Sequence, residues 1–219
     1  ATLDMMALAK INDPQALVDA IEPLVQHYEV WIEARLIEAE EPTIKNHNLH
    51  CEAAASQLDN CKKAAARMRK GLELLKSNPK ARNAFGLANE AMADQRVHSI
   101  WAKHNQTSEQ RTDIASIWID KSPKWRPFQL GFFLLNLVGV ADDESEDRAL
   151  VDLLWFPTGG GKTEAYLGLA AFTIFYRRLV GDRDGMEAGA GVSVIMRYTL
   201  RLLTVQQFQR AAALICACE

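Results

Sequence analysis

Cysteine is scarce in this chain, and the four present, Cys51, Cys61, Cys216 and Cys218, form no C-x-x-C pair. Metal frameworks built on such pairs are therefore excluded, and His47, His50 and Cys51 lack a fourth ligand at zinc spacing. With no signal peptide visible, reduced thiols and a cytoplasmic location are expected. Net positive charge is missing too. The formal charge is −3 and the pI is near 6.0, so any contact with nucleic-acid phosphate must come from a local surface. No apolar run reaches the ~20 residues that a bilayer span needs. The most apolar, 130–140 (LGFFLLNLVGV), reads as a buried helix, and no membrane partner is expected. No internal repeat or low-complexity tract stands out. What is there is a chain of 219 residues, 48% hydrophobic and 24% charged, long enough to bury a sizeable core.

The most informative stretch is 149–163 (ALVDLLWFPTGGGKT). An apolar run, expected to be a buried strand, feeds Thr158, Gly159, Gly160 and Gly161 and ends on Lys162 and Thr163. Residues 164–180 then have the length and apolarity of a buried helix. Strand, glycine loop, Gly-Lys-Thr and helix together predict a nucleotide phosphate site. Glycines let backbone N–H groups approach phosphate oxygens because no Cβ intervenes. The helix start aims further N–H groups and its positive dipole end at the same oxygens. Lys162 would reach the β- and γ-phosphates of ATP, and the Thr163 hydroxyl would ligate Mg²⁺. The strict pattern asks for a first glycine at 156, where this chain has Phe156.

Upstream, residues 1–105 read as an antiparallel helical lobe. Asp13-Pro14 offers a helix start, with Pro23 expected to kink or split that first long helix. Further helices are expected over 44–76 and 80–103, with Trp31 and Trp101 in the core. The basic stretch Lys62, Lys63, Arg67, Arg69, Lys70, Lys76, Lys80 and Arg82 reads as a solvated helix face, with nucleic-acid phosphate as the sharper alternative. The acidic run 142–147 likewise reads as a solvated turn. Residues 106–124 read as a linker, and 125–219 as the second lobe. There a helix from Pro127 precedes the phosphate loop. After it, 192–198 (VSVIMRY) reads as a second buried strand and a last helix begins near Leu200. Cys216 and Cys218 at its tail read as small buried residues. The chain starts on Ala1 and stops inside a helical pattern, as a piece of a longer protein would.

Three stretches in this order, 125–130 (WRPFQL), 158–163 (TGGGKT) and 198–207 (YTLRLLTVQQ), resemble the motifs of superfamily 2 helicases, and their wording resembles the helicase-like subunits of bacterial DISARM anti-phage systems. In superfamily 2 the first glycine of the phosphate loop is commonly relaxed. The resemblance implies an α/β fold, in which the helical lobe is followed by the first part of a RecA-like P-loop domain with a parallel sheet. It implies that Gln129 reads the adenine edge and that Phe128 packs on the base. An amide suits that edge because it offers a donor and an acceptor together. It also implies that Thr199, Arg201 and Gln207 contact a DNA backbone, that single-stranded DNA is the ligand, and that a DrmB-type subunit is the partner. The Walker B acid and arginine fingers of that family would lie beyond Glu219, so residues 1–219 alone are expected to bind ATP weakly and not to turn it over. Two other classes fit the residues: a P-loop ATPase that remodels protein, and a helical interaction module.

Overall fold

The computed structural model describes residues 1–41, 47–107, 113–120, 122–157, 159–182, 185, 187, 189–197 and 201–219; for 47–48, 106–107, 119–120 and 201–204 it describes the backbone. In chain order come α1 (Met5–Ala9), α2 (Pro14–Ala39), α3 (His47–Ser77), α4 (Pro79–Thr107), α5 (Ile114–Asp120), α6 (Pro127–Ala141), α7 (Lys162–Val180) and α8 (Arg201–Ala217), with a 3₁₀ turn at Glu146–Ala149.

The helix starts follow from local chemistry. Asp13 accepts the Ala16 N–H at 2.7 Å, and Pro14 occupies the first helical position, where its missing N–H costs nothing. Asn78 does the same for α4, accepting from Lys80 and Ala81 at 3.0 Å each. Pro23 does not split α2, which runs on to Ala39 as one helix.

Among the described residues the expected parallel sheet is absent, and with it the RecA-like α/β architecture. Among the described residues there is no strand, only an isolated bridge between Asp4 and Lys124. The fold is all-helical. Residues 151–157 belong to the apolar run expected to be a buried strand, yet Val151 is 97% exposed and Trp155 is 83% exposed. Residues 192–197 have no regular structure either, and Ile195 stands in solvent. A strand is stabilised by neighbours that pair its N–H and C=O groups and cover its apolar face. Among the described residues neither segment pairs with another strand, so apolarity alone did not make them strands.

One hydrophobic core runs through the molecule, from Met5 and Leu17 through Leu75, Phe85 and Phe133 to Phe172 and Leu214. Helix α3 packs between α2 and α6, and α4 packs on α1, α7 and α8. Residues 122–126 return to the N-terminus: Met5 N–H donates to Pro123 O at 2.9 Å, and Trp125 N–H donates to Leu3 O at 2.8 Å. The Trp125 ring is fully buried and sits against Gly168 of α7, where a Cβ would come within 2.6 Å of it. Its indole N–H donates to Asn89 Oδ1 at 2.7 Å, and Asn89 Nδ2 donates to Phe85 O at 2.8 Å. Both side chains are buried, so this pair satisfies polar groups that water cannot reach. Replacing Asn89 with Leu strands the indole donor, at a cost of about 1–3 kcal/mol. The expected result is a thermal midpoint several degrees lower; an unchanged midpoint in Asn89→Leu would show that the bond contributes nothing.

Elsewhere the surface departs from expectation. Trp31 and Trp101 are exposed, not core, and Trp31 stacks on Tyr28 with centroids 5.9 Å apart. Cys218 is buried as expected, while Cys216 is exposed. Burial pushes the Cys218 thiol up to about 11, against a smaller pull from Arg178. At pH 8 a thiol alkylating reagent is therefore expected to label Cys216 well before Cys218, as read by peptide mass spectrometry.

Candidate functional site

The glycine loop is built by backbone geometry that only glycine tolerates cheaply. Gly159 and Gly161 have φ of +78° and +91°, in the left-handed region. Gly160 N–H donates to Pro157 O at 3.0 Å and closes the turn between them. Gly161 is the N-cap of α7 and supplies no side-chain cap. The N–H groups of Lys162, Thr163 and Glu164 therefore start the helix without intrahelical carbonyls to accept them. Helix α7 is 19 residues long and largely buried, which fixes the direction of that N-terminus.

The loop is held from behind by α6. Arg126 donates through Nη1 to Gly160 O at 2.7 Å, and Gln129 donates through Nε2 to Gly161 O at 2.7 Å. Gln129 Oε1 in turn accepts the Arg126 N–H at 2.7 Å, at the start of α6. Gln129 is 4% exposed. A Cβ on Gly161 would sit 2.6 Å from Gln129 Nε2, so the third glycine is required by close approach as well as by φ. Phe128, one residue earlier, stacks on Phe156 with centroids 4.0 Å apart and planes 13° from parallel. Phe156 fills the space beside Gly160, where a Cβ would meet its ring at 2.1 Å.

Lys162 is folded back on its own loop. Its Nζ donates to Phe156 O and, at 3.3 Å, to Pro157 O. Thr163 is half-buried in the first turn of α7. Thr158 lies outside the described residues. A triphosphate suits this arrangement in three respects. The first turn of α7 offers uncapped donors, Lys162 can exchange two carbonyls for phosphate oxygens, and nothing lies within 4 Å of the Cβ position of Gly159. Glu164, in the same turn, is paired through Oε1 with Arg210 of α8, while its Oε2 is buried with no partner.

The structure brings Phe128, Gln129, Gly159, Gly160, Gly161, Lys162 and Thr163 to one place. It adds Arg126 and Phe156, whose roles the sequence did not disclose; the signal was Arg126 three residues before Gln129, the spacing of a capping box. Of the expected DNA-contact residues, Gln207 is the one whose side chain is described. Thr199 lies outside the described residues. Arg201 opens α8, and Gln207 is six residues further on. Gln207 is half-buried, with its Oε1 unpartnered.

The basic stretch of α3 and α4 is largely used internally. Arg67 clamps Asp152 with bonds of 2.6 and 2.8 Å, and Arg69 binds Glu22 and Glu29. Those two carboxylates and burial set the balance at Arg69, whose guanidinium is held more firmly protonated; the Glu29 carboxyl is lowered by the same bond. Lys80 and Arg82 donate to backbone carbonyls. The acidic run is structural too: Asp142 accepts from Glu144, Ser145 caps the 3₁₀ turn, and Asp143 pairs with Arg148. Among the described residues no cluster of three His, Cys, Asp or Glu could hold a metal, and no helix is long and apolar enough to cross a membrane.

Fold and site together define an all-helical protein with a left-handed glycine loop at the head of a buried helix. No protein-family model matches it. The chain is similar to the DISARM protein DrmA of Bacillus paralicheniformis, with 42% identity over 214 residues, which is 96% of this chain and 18% of that protein. It thus spans less than a fifth of the relative's length.

Proposed function

We propose that this chain carries the nucleotide-binding loop of a DrmA-like subunit of a DISARM anti-phage defence system, a subunit that uses ATP to act on DNA as a helicase or translocase in the cytoplasm. The observation that carries the nucleotide reading is the left-handed Gly159–Gly161 turn feeding an uncapped helix whose first residue is Lys162. Backbone N–H groups of that first turn bind phosphate oxygens, and the helix dipole favours their charge. Lys162 leaves the Phe156 and Pro157 carbonyls to neutralise the outer phosphates. Thr163 would hold Mg²⁺, which when bound supplies charge neutralisation on the phosphate oxygens. Arg126 and Gln129 keep the loop carbonyls turned away from the anion by donating to them from behind.

The 42% identity to DrmA supports the defence role; a DrmB-type partner subunit and single-stranded DNA as the ligand are proposed with it, on the motif resemblance alone. Thr199, Arg201 and Gln207 are proposed as backbone contacts, with Arg201 the strongest because a guanidinium binds phosphate oxygens bidentately. The test is nucleoside triphosphate hydrolysis by the full-length protein with and without single-stranded DNA. Stimulation by DNA is expected, and it should fall on Arg201→Ala. Hydrolysis indifferent to DNA would remove the motor reading and leave a nucleotide-driven protein-remodelling subunit.

A further inference from the structure

We propose that the base of the bound nucleotide is taken by the stacked pair Phe128 and Phe156, which recognises its flat face and not its edge, so that the site accepts purine and pyrimidine triphosphates alike. This rests on the nucleotide reading above and specifies its substrate class.

Two observations carry it. The first is that the amide able to read an adenine edge is already occupied. Gln129 is 4% exposed, its oxygen accepts the Arg126 N–H at 2.7 Å, and its nitrogen donates to Gly161 O at 2.7 Å. Turning the amide toward a base would break both bonds. It would leave the Gly161 carbonyl and the Arg126 N–H, just before α6, without those partners, and it would gain two bonds at best. An exchange of two bonds for two yields no preference for adenine over other bases. The second is that an aromatic surface lies against the loop. Phe156 presses on Gly160, stacks on Phe128 at 4.0 Å, and keeps 36% of its surface exposed. Every nucleobase has a π-face, so stacking on such a surface is tolerant of base identity. Phe156 occupies the position where the strict phosphate-loop pattern has glycine, so the departure from that pattern is what supplies the second ring of the platform.

Isothermal titration of the full-length protein with ATP, GTP, CTP, UTP and tripolyphosphate, each with Mg²⁺, tests this. The four nucleotides are expected to bind within about threefold of one another. Phe128→Ala should weaken each about tenfold, within the range for loss of one base–aromatic stack. It should leave tripolyphosphate unchanged, and Phe128→Trp should restore nucleotide binding. A preference for ATP over GTP greater than about tenfold would overturn the proposal in favour of edge reading. So would a Phe128→Ala protein that keeps its nucleotide affinity, or one that loses tripolyphosphate in parallel. If neither nucleotides nor tripolyphosphate bind the wild-type protein, the nucleotide reading itself fails and the platform falls with it.

Discussion

Lys162→Ala is expected to lower nucleoside triphosphate hydrolysis by the full-length protein about 100-fold or more, the scale on which removal of one preorganised charged or hydrogen-bonding group at a transition state is felt. Stability should barely change. Among the described residues Lys162 donates to Phe156 O and Pro157 O, both at exposed positions where water can replace it. Removing it leaves no buried donor or acceptor, so the thermal midpoint should stay within about 2 °C, as for surface substitutions within about 0.5 kcal/mol. The paired readout is decisive. Lost hydrolysis with an unchanged melt assigns Lys162 to the phosphates. Full hydrolysis would remove it from that role. Lys162→Arg keeps the charge but spreads it over a larger planar group, and is expected to recover little of the activity.

Gly71→Ala should produce the largest loss of stability among the Gly→Ala changes within the helices. Gly71 faces α6 at the crossing of α3 and α6, and a Cβ there would lie 2.2 Å from Leu134 O and 3.0 Å from Leu134 C. These are backbone atoms in the middle of a buried helix, so no side chain can swing away. The two helices must separate, which disturbs Met68 and Leu72 on one side and Leu130 and Leu134 on the other. Overpacking of this kind costs about 3 kcal/mol or more, less the roughly 1 kcal/mol that alanine gains over glycine in a helix. A fall in thermal midpoint of about 4–12 °C is expected. Gly86→Ala is the control. Its nearest neighbour is Ala9 O at 3.3 Å, which a small shift relieves, so its melt should stay close to wild type. Equal melts for Gly71→Ala and Gly86→Ala would mean that the α3–α6 crossing is looser than these distances state.

Much of the helical framework was legible in the residues. Asp13-Pro14 marks a helix start because one side-chain oxygen and one missing N–H solve the same end problem. The run 130–140 is buried helix, as its length and apolarity indicate, and α7 comes after the glycine loop as the pattern requires. The two strands were not realised. A helix satisfies its own backbone within about four residues, so local sequence can specify it; a strand depends on partners far away in the chain. Residues 151–157 and 192–197 have the right residues and, among the described residues, no such partners. Trp31 and Trp101 misled for a related reason: an aromatic at helical spacing shows which face it is on, not whether another helix covers that face.

By itself the sequence determined the glycine loop, its left-handed turns and the helix that Lys162 begins, because each depends on neighbours a few residues away. The tertiary structure alone decided that α6 lies behind that loop, that Arg126 and Gln129 are bonded to its carbonyls, and that Phe156 meets Phe128 across 28 positions of chain. Those contacts depend on how α6 and α7 pack into one core, and packing is a property of surfaces brought together, which no local pattern records.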